Sequence, residues 1–458
     1  MEKTIKCIEE FNTKKIMVIG DIMLDSCFKG TTTRVSPEAP VPVVKFVREE
    51  NVPGGAGNCA NNLATLGAKV FLVGLVGKDE HSKKLANALE KNNINTEGLI
   101  VDESRPTTVK QRVISGNNHQ VVRLDYEDTR PINKKIQNDI LEFIKTNINK
   151  MDGLVISDYS KGLINEDLAK EIIKLGNNSN LPIIVDSKST HATYFQGITL
   201  MTPNLKEAKE ITRIPGNDIE EIARATLKKI DSNIFITRSS DGITLIEKNG
   251  EISHFPTKKV QVFDVSGAGD TIVAISTLCL VSGLNLKEIA NIANIAGRLV
   301  VQKLGTSTVT AEEIKNSLMA SMTNVTRQIH DKVWGKEDWI VNFENTNYCG
   351  KRLVLNKGYQ CSIHYHKVKS EVFYINKGLV LMQAYGKKKL MVPGESIYLE
   401  QGAKHRFIGI TDAEIMEFSS HHTADDNYRD EPSGKVPEDT FEEYLKQYSK
   451  EIEEFKGN

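Results

Sequence analysis

A chain of 458 residues with a formal net charge of −1 gives no electrostatic reason to expect nucleic acid or an anionic membrane surface as a partner. Hydrophobic residues make up 39% and charged residues 26%, as in soluble globular proteins, and the length suits two or three domains. No apolar run approaches the roughly 18–20 residues of a transmembrane helix, residues 1–12 lack a signal-peptide core, and six cysteines scattered without a CxxC pair favour a reduced, cytoplasmic protein with free thiols.

Residues 15–21 (KIMVIGD) read as a buried strand ending in Gly-Asp, followed by Ile22-Met23-Leu24-Asp25. Asp21 and Asp25 are either a turn residue and a helix cap, or ligands beyond the carboxyl end of a strand, where open α/β sheets bind. Three prolines within 37–42 make residues 34–43 extended. The run PGGAGN (53–58) opens a helix to Leu66, with Gly67 as its cap. Gly54 and Gly55 let a hydroxyl-rich ligand approach the backbone, and Asn58 offers a donor and an acceptor, which suits a sugar. Residues 70–76 read as a strand and 79–91 as a helix. Residues 107–123 read as a hairpin turning at Gly116-Asn117-Asn118, either a lid over a site or an edge ribbon.

From about residue 133 helices and strands alternate. Strands fall at 153–157, 183–186, 199–202, 234–237 and 244–247, and helices at 133–145, 165–175, 205–212 and 218–230. This is the pattern of a mostly parallel sheet covered on both faces. Its strand ends carry Asp158 with Lys161, Asp186 with Lys188, Asn204 with Glu207, and Thr237 with Arg238. Lys161 and Lys188 can clamp a phosphate already on a substrate, and Glu207 can hold water on a magnesium ion. DVSGAGDT (264–271) lies between an apolar run at 260–263 and a helical apolar run at 272–281. Small residues at a helix mouth present N–H groups to an anion, and Asp270 beside them can take a proton from an attacking hydroxyl. The bland alternative is a Gly-rich turn before a core helix.

After a helix from 311 to about 322 the composition changes near 323–330. Residues 334–418 hold short alternating runs, such as 340–343 and 351–355, with turns at Asn356-Lys357-Gly358, Asn376-Lys377-Gly378 and Pro393-Gly394. This is a small all-β barrel or jelly roll. His364 and His366 point to one face of a strand, Glu371 follows, and a hairpin partner carrying His405 can supply a third imidazole. Three His and one Glu make a shell for Zn, Mn, Fe, Co or Ni with positions open to substrate. Beyond the barrel, residues 417–422 and 425–429 lead into a tail. Tyr428 and Arg429 either bind a sugar phosphate at the barrel mouth or belong to that tail. Residues 437–458 read as a terminal amphipathic helix with a soluble face.

The stretches GDIMLD (20–25), SPEAPVPVV (36–44), PGGAGN (53–58), RLDYE (123–127), SDYSKG (157–162), TPN (202–204), DVSGAGDT (264–271) and KLGTSTV (303–309) stand in one order. Over about residues 10–320 the chain resembles the ribokinase-like (PfkB) carbohydrate kinases. More narrowly it resembles their D-glycero-D-manno-heptose-7-phosphate kinase group. The resemblance implies Asp270 as the base for the anomeric hydroxyl and Gly267, Ala268 and Gly269 as the anion hole. It places Asp25, Gly54, Gly55 and Asn58 on the sugar. It places Asn204, Thr237, Gly242 and Asn294 along ATP, with Glu207 near Mg2+. The implied reaction turns ATP and heptose 7-phosphate into heptose 1,7-bisphosphate. Ser266, Gly57 and Ser187 replace the more usual Thr, Ala and Pro, and none removes a needed group. Family kinases often dimerise through the lid, so 107–123 is the expected homodimer interface.

The nucleotidyltransferase often fused to such kinases is absent, with no HxGH motif after Leu304. Instead the spacing of Gly358, His364, His366, Glu371 and Gly378 resembles the first cupin motif. Gly394, Gly402 and His405 resemble the second, with Glu400 and Gly409 in place of Pro and Asn. The tail resembles that of mannose-6-phosphate isomerase-like cupins. The expected organisation is a ribokinase-like α/β kinase domain at 1–322 with a small β lid, and a metal cupin at 323–458 acting as a sugar-phosphate isomerase. The alternatives are a kinase for another phosphorylated sugar, and a non-catalytic cupin serving as a sugar sensor or dimerisation module.

Overall fold

The computed structural model describes residues 2–456 apart from 117–118, 259, 304, 306, 324–327, 342–347 and 421–424. The turn pair Asn117-Asn118, Leu304 and Thr306 of KLGTSTV, Asn342-Phe343 and His421-His422 therefore lie outside the described residues. The chain divides into two compact units, Met1–Met319 and Ala320–Asn458.

In the first unit a nine-stranded sheet runs, in spatial order, Ile252–Phe255, Ile243–Ile246, Asn233–Thr237, Leu200–Met201, Ile183–Ser187, Gly153–Asp158, Lys15–Gly20, Lys69–Val76 and Asn95–Val101. All neighbours are parallel except the two pairings at the Ile252–Phe255 edge. Both faces are buried, so the strands read as unbroken apolar runs. In Lys15–Gly20 the side chains alternate between two cores. Ile16 and Val18 join the core that holds helices Ala56–Thr65, Ala268–Val281 and Leu286–Val300. Met17 and Ile19 join the one beneath Lys134–Asn147, Glu166–Asn178 and Ile219–Ile230. Gly20 lies so close to the next strand that a Cβ there would stand 1.9 Å from the Ser157 carbonyl oxygen. Helix Ala268–Val281 is apolar almost all round and is buried accordingly.

A second sheet orders Pro42–Gly55, Ile22–Val35, Val109–Ser115 and His119–Tyr126. The hairpin expected at 107–123 is present, and it is half of a four-stranded lid, because Val109–Ser115 pairs in parallel with Ile22–Val35. Two expectations are corrected. Asp25 caps no helix but sits within that strand. Gly54 and Gly55 end a strand, and the helix begins at Ala56. The run at 260–263 forms no strand; Val262 and Phe263 are exposed, and Phe263 N–H donates to the Val301 carbonyl.

The second unit packs two antiparallel sheets face to face. One orders Gln328–Lys332, Gly335–Val341, Tyr348–Leu355, Ala413–Ser420, Glu371–Lys377 and Ser396–Leu399. The other orders Lys387–Met391, Val380–Ala384, His405–Gly409, Tyr359–Gln360 and Gly434–Lys435, with Ile363–Tyr365 pairing both His405–Gly409 and Tyr428–Glu431. Trp334, Leu353, Phe373, Met382 and Phe407 fill the interior. The terminal segment is two helices, Glu438–Gln447 and Ser449–Lys456. Their Phe441, Tyr444, Leu445 and Ile452 pack with Leu381 and Ile408 in a separate apolar cluster. Among the described residues no helix is long and apolar enough to cross a membrane, and the six cysteines are free.

Candidate functional site

In the first unit Gly267 starts helix Ala268–Val281 in the left-handed region, φ +80°. The first N–H groups of a helix lack intrahelical acceptors, but the Ala268 N–H turns to the Val265 carbonyl at 3.3 Å. A Cβ added at Gly269 would meet nothing within 4 Å, so packing does not require glycine there. Asp270, in the first turn, is buried. Its Oδ2 accepts from Asn58 Nδ2 at 2.6 Å and its Oδ1 from the Tyr159 hydroxyl at 3.0 Å. Burial pushes its carboxyl up to about 6, with the Asn58 and Tyr159 bonds and Lys188 pulling the other way. Asn58 keeps its own Oδ1 buried without a partner. The neighbouring Asp186 is pushed up to about 8 by burial and by the charges of Asp270 and Glu207.

Asp25 receives Arg112 Nη1 at 2.6 Å. A Cβ on Gly54 would stand 2.3 Å from Asp25 Oδ2, and one on Gly55 (φ +57°) 2.4 Å from the Asp21 carbonyl oxygen. These glycines therefore answer first to the protein's own atoms. Asp21 clamps a loop, accepting from the N–H groups of Tyr159, Lys161 and Leu163 at 2.8, 2.9 and 3.2 Å. The two lysines expected to face a phosphate are both ion-paired: Lys161 with Glu127 at 2.7 Å, Lys188 with Glu207 at 2.8 Å. Lys188 also lies over the Tyr159 ring, 5.3 Å from its centroid. Asn204 and Glu207 form a reciprocal capping box on helix Leu205–Thr212, and Thr237 bridges to Asn204. Gly242 and Asn294 meet at the Phe255 carbonyl oxygen: a Cβ on Gly242 would be 2.0 Å from it, and Asn294 Nδ2 donates to it at 2.8 Å. Sequence reasoning missed Tyr159 and Arg112. Each sits within a noticed motif, the SDYSKG loop and the hairpin, but its target lies far along the chain.

In the second unit His364 and His405 face each other across antiparallel strands, rings 4.3 Å apart. The ligand atoms of His364, His366 and His405 all lie within 4.8 Å of one another. Each ring gives its Nδ1 hydrogen to a backbone carbonyl: His364 to Ser362 at 2.9 Å, His405 to Ala403 at 3.0 Å, and His366 to Asp426. That fixes the tautomer and leaves the three Nε2 lone pairs pointing inward, as outer-shell partners do for metal ligands. His405 Nε2 is buried without a hydrogen-bond partner. Burial holds His364 down at about 3, so the imidazole is neutral. This donor set fits a divalent transition metal. The fourth expected ligand, Glu371, lies 3.1 Å from His405 Nε2 and 3.6 Å from His366 Nε2, yet its carboxylate also takes Lys369 Nζ at 2.5 Å. Lys369 in turn meets Glu417 at 2.7 Å, and Lys351 reaches Glu417 at 3.4 Å. These four buried ions line a cavity of roughly 670 Å³ with His364 and His366. Arg429 lines it too, whereas Tyr428 stacks on Tyr365.

Residues 13–313 match the pfkB family carbohydrate kinases, and residues 351–420 match the cupin domain. The chain is similar to the bifunctional protein HldE of Syntrophotalea carbinolica, 39% identical over 308 residues that make up 66% of this chain and 63% of that protein. The HldE of Sulfurimonas denitrificans is 36% identical over 369 residues, 80% of this chain and 76% of that protein. The chain thus spans just under two thirds of the first of these relatives. Among solved structures it is similar to the ribokinase of Thermotoga maritima, with 22% identity and a TM-score of 0.52 over 67% of this chain and 99% of that one. The phosphofructokinase-2 of Escherichia coli gives 18% identity and a TM-score of 0.55 over 68% and 99%. These two likenesses concern the fold alone.

Proposed function

The chain belongs to the pfkB family of carbohydrate kinases, and we propose that its first unit transfers the γ-phosphoryl group of ATP to the anomeric hydroxyl of D-glycero-D-manno-heptose 7-phosphate. The observation that carries this reading is Asp270, a buried carboxylate held by two donors beside a glycine whose open side packing leaves unexplained. Asp270 takes the hydroxyl proton, the sugar oxygen bonds to the γ-phosphorus, and the bond from that phosphorus to the bridging oxygen breaks to release ADP. Gly267, Ala268 and Gly269 face the migrating group. Ala268 must turn its N–H from Val265 to contribute. Asp25, Gly54, Gly55 and Asn58 hold the sugar, Asn58 through its unpartnered Oδ1. Asn204, Thr237, Gly242 and Asn294 border ATP. Glu207 serves the magnesium ion that kinases of this family use, and Lys188, released from Glu207, joins Lys161 on phosphate oxygens. The heptose preference rests on SPEAPVPVV and KLGTSTV and on the HldE relatives. Exposed Val35, Phe46, Val47, Val122 and Leu124 on the lid sheet support a homodimer through it.

The cupin unit holds a divalent metal on His364, His366 and His405, with Glu371 as fourth ligand, and acts as a sugar-phosphate isomerase. A metal there supplies polarisation of a substrate carbonyl and hydroxyl. The chain's own contribution is the fixed tautomers and the charged wall of Lys369, Lys351 and Glu417. Incubating the protein with ATP, magnesium and a panel of sugar phosphates while following ADP release tests the kinase reading. A marked preference for the heptose is expected; a preference for another sugar removes the heptose assignment.

A further inference from the structure

We propose that Tyr159 is a positioning residue for phosphoryl transfer, its hydroxyl holding the Asp270 carboxylate in the orientation that meets the sugar hydroxyl. The inference rests on the reading of Asp270 as proton acceptor. Tyr159 follows strand Gly153–Asp158 and is fixed at three points. Its N–H donates to Asp21 Oδ2 at 2.8 Å, its ring lies under the Lys188 ammonium, and its hydroxyl donates to Asp270 Oδ1 at 3.0 Å. Asn58 reaches the other oxygen from helix Ala56–Thr65 at 2.6 Å. Two donors from different elements keep the carboxylate from rotating unless one bond breaks. Both also favour its charged form against the burial that opposes it.

The charged or titratable groups facing Asp270 are Lys188 and Asp186 from one strand end, Asp25 from strand Ile22–Val35, and Cys59 from helix Ala56–Thr65, besides Tyr159 itself. Burial pushes the Tyr159 hydroxyl and the Cys59 thiol well above their usual ranges. Tyr159 therefore keeps its proton through the reaction, and the proton leaving the sugar goes to Asp270. Tyr159 also joins two ends of the cleft. Its ring carries Lys188, which is paired with the Glu207 of the capping box, and its hydroxyl reaches the base.

The test is kcat against pH, by ADP release, for the full chain carrying Tyr159→Phe. Loss of one charge-assisted hydrogen bond moves the acid limb to higher pH by about one unit, so the rate below the midpoint falls about ten-fold. The KM for ATP stays unchanged. Site-specific 3-fluorotyrosine at 159, a better donor of unchanged shape, moves the limb the other way and serves where Tyr159→Phe folds poorly. An acid limb that stays in place in every folded variant overturns the proposal, whatever happens to the plateau. Turnover retained by Asp270→Asn overturns the base assignment instead. An inactive Asp270→Asn with an unmoved Tyr159→Phe limb sinks this inference alone.

Discussion

In the kinase unit the charged groups of the cleft hold one another: Lys188 grips Glu207, Arg112 grips Asp25, and both oxygens of Asp270 are bonded. In the cupin unit the outer ring nitrogens are bonded, but the inner ones converge on one another, and His405 Nε2 has the Glu371 carboxylate 3.1 Å away yet makes no hydrogen bond. The first arrangement resembles a set of groups at rest, each able to exchange an internal partner for a substrate oxygen. The second is a set of lone pairs brought together at a cost, since buried polar atoms without partners destabilise the fold. The difference teaches where a ligand enters the energetics. The kinase cleft pairs most of its charges internally and leaves the Asn58 Oδ1 for a ligand, whereas an ion in the cupin relieves a penalty and so stabilises the fold by linkage.

The largest effect comes from breaking the kinase side. Asp270→Asn keeps the shape and the ability to receive a hydrogen bond but takes no proton, so phosphoryl transfer falls by about 10²–10⁴-fold. ATP binding followed by calorimetry persists; lost binding would mean that Asp270 shapes the nucleotide site instead. On the cupin side, the double substitution His364→Ala and His366→Ala lowers metal affinity by more than about 100-fold, the limit that outer partners alone reach. Metal analysis by plasma mass spectrometry and the rise of Tm on metal addition both register the loss, while the kinase rate stays put. A variant still binding one metal per chain shows the wrong ligands.

A smaller pair of effects separates glycine as packing from glycine as binding surface. Gly242→Ala places a methyl 2.0 Å from the Phe255 carbonyl oxygen at φ +83°, a conformation nearly confined to glycine, costing roughly 1–3 kcal/mol. It shows as a lower Tm. Gly269→Ala adds a methyl into open space, leaves Tm in place and slows phosphoryl transfer. If both lower Tm alike, the open side of Gly269 is not a ligand surface.

The same contrast explains what could be read from the chain. The cupin cluster is written in short spacings: a strand alternates faces every residue, so His364 and His366 announce themselves, and one hairpin pairing delivers His405. Most elements of the α/β sheet showed through buried apolar runs, and Asp270 through its glycines. Helix Leu286–Val300 is not among the helices expected from the sequence, although Asn285 and Glu288 spell a capping box that marks its start. Of the four lid strands, Val109–Ser115 and His119–Tyr126 show in the sequence as a hairpin. Ile22–Val35 and Pro42–Gly55 do not, because charges and, in the latter, prolines interrupt their apolar pattern. Tyr159 and Arg112 depend on partners 111 and 87 residues away, which no local pattern encodes. Lys369 looked like any surface lysine and is buried between two carboxylates.

The close approach of Gly20 to Ser157 has a consequence for how the chain finds its alignment. In strand Lys15–Gly20 both faces are apolar, so sliding by one residue would merely swap Ile16 and Val18 for Met17 and Ile19 between two oily layers. Hydrophobicity cannot forbid that slip, which in a half-exposed strand it would. The missing side chain can: only glycine fits against that carbonyl, and it works as a detent. Once Gly20 seats, Asp21 is delivered to the loop N–H groups of residues 159, 161 and 163. In that alignment the Tyr159 hydroxyl reaches Asp270 at 3.0 Å, so the glycine that fixes the register of one strand also supports the orientation of the base.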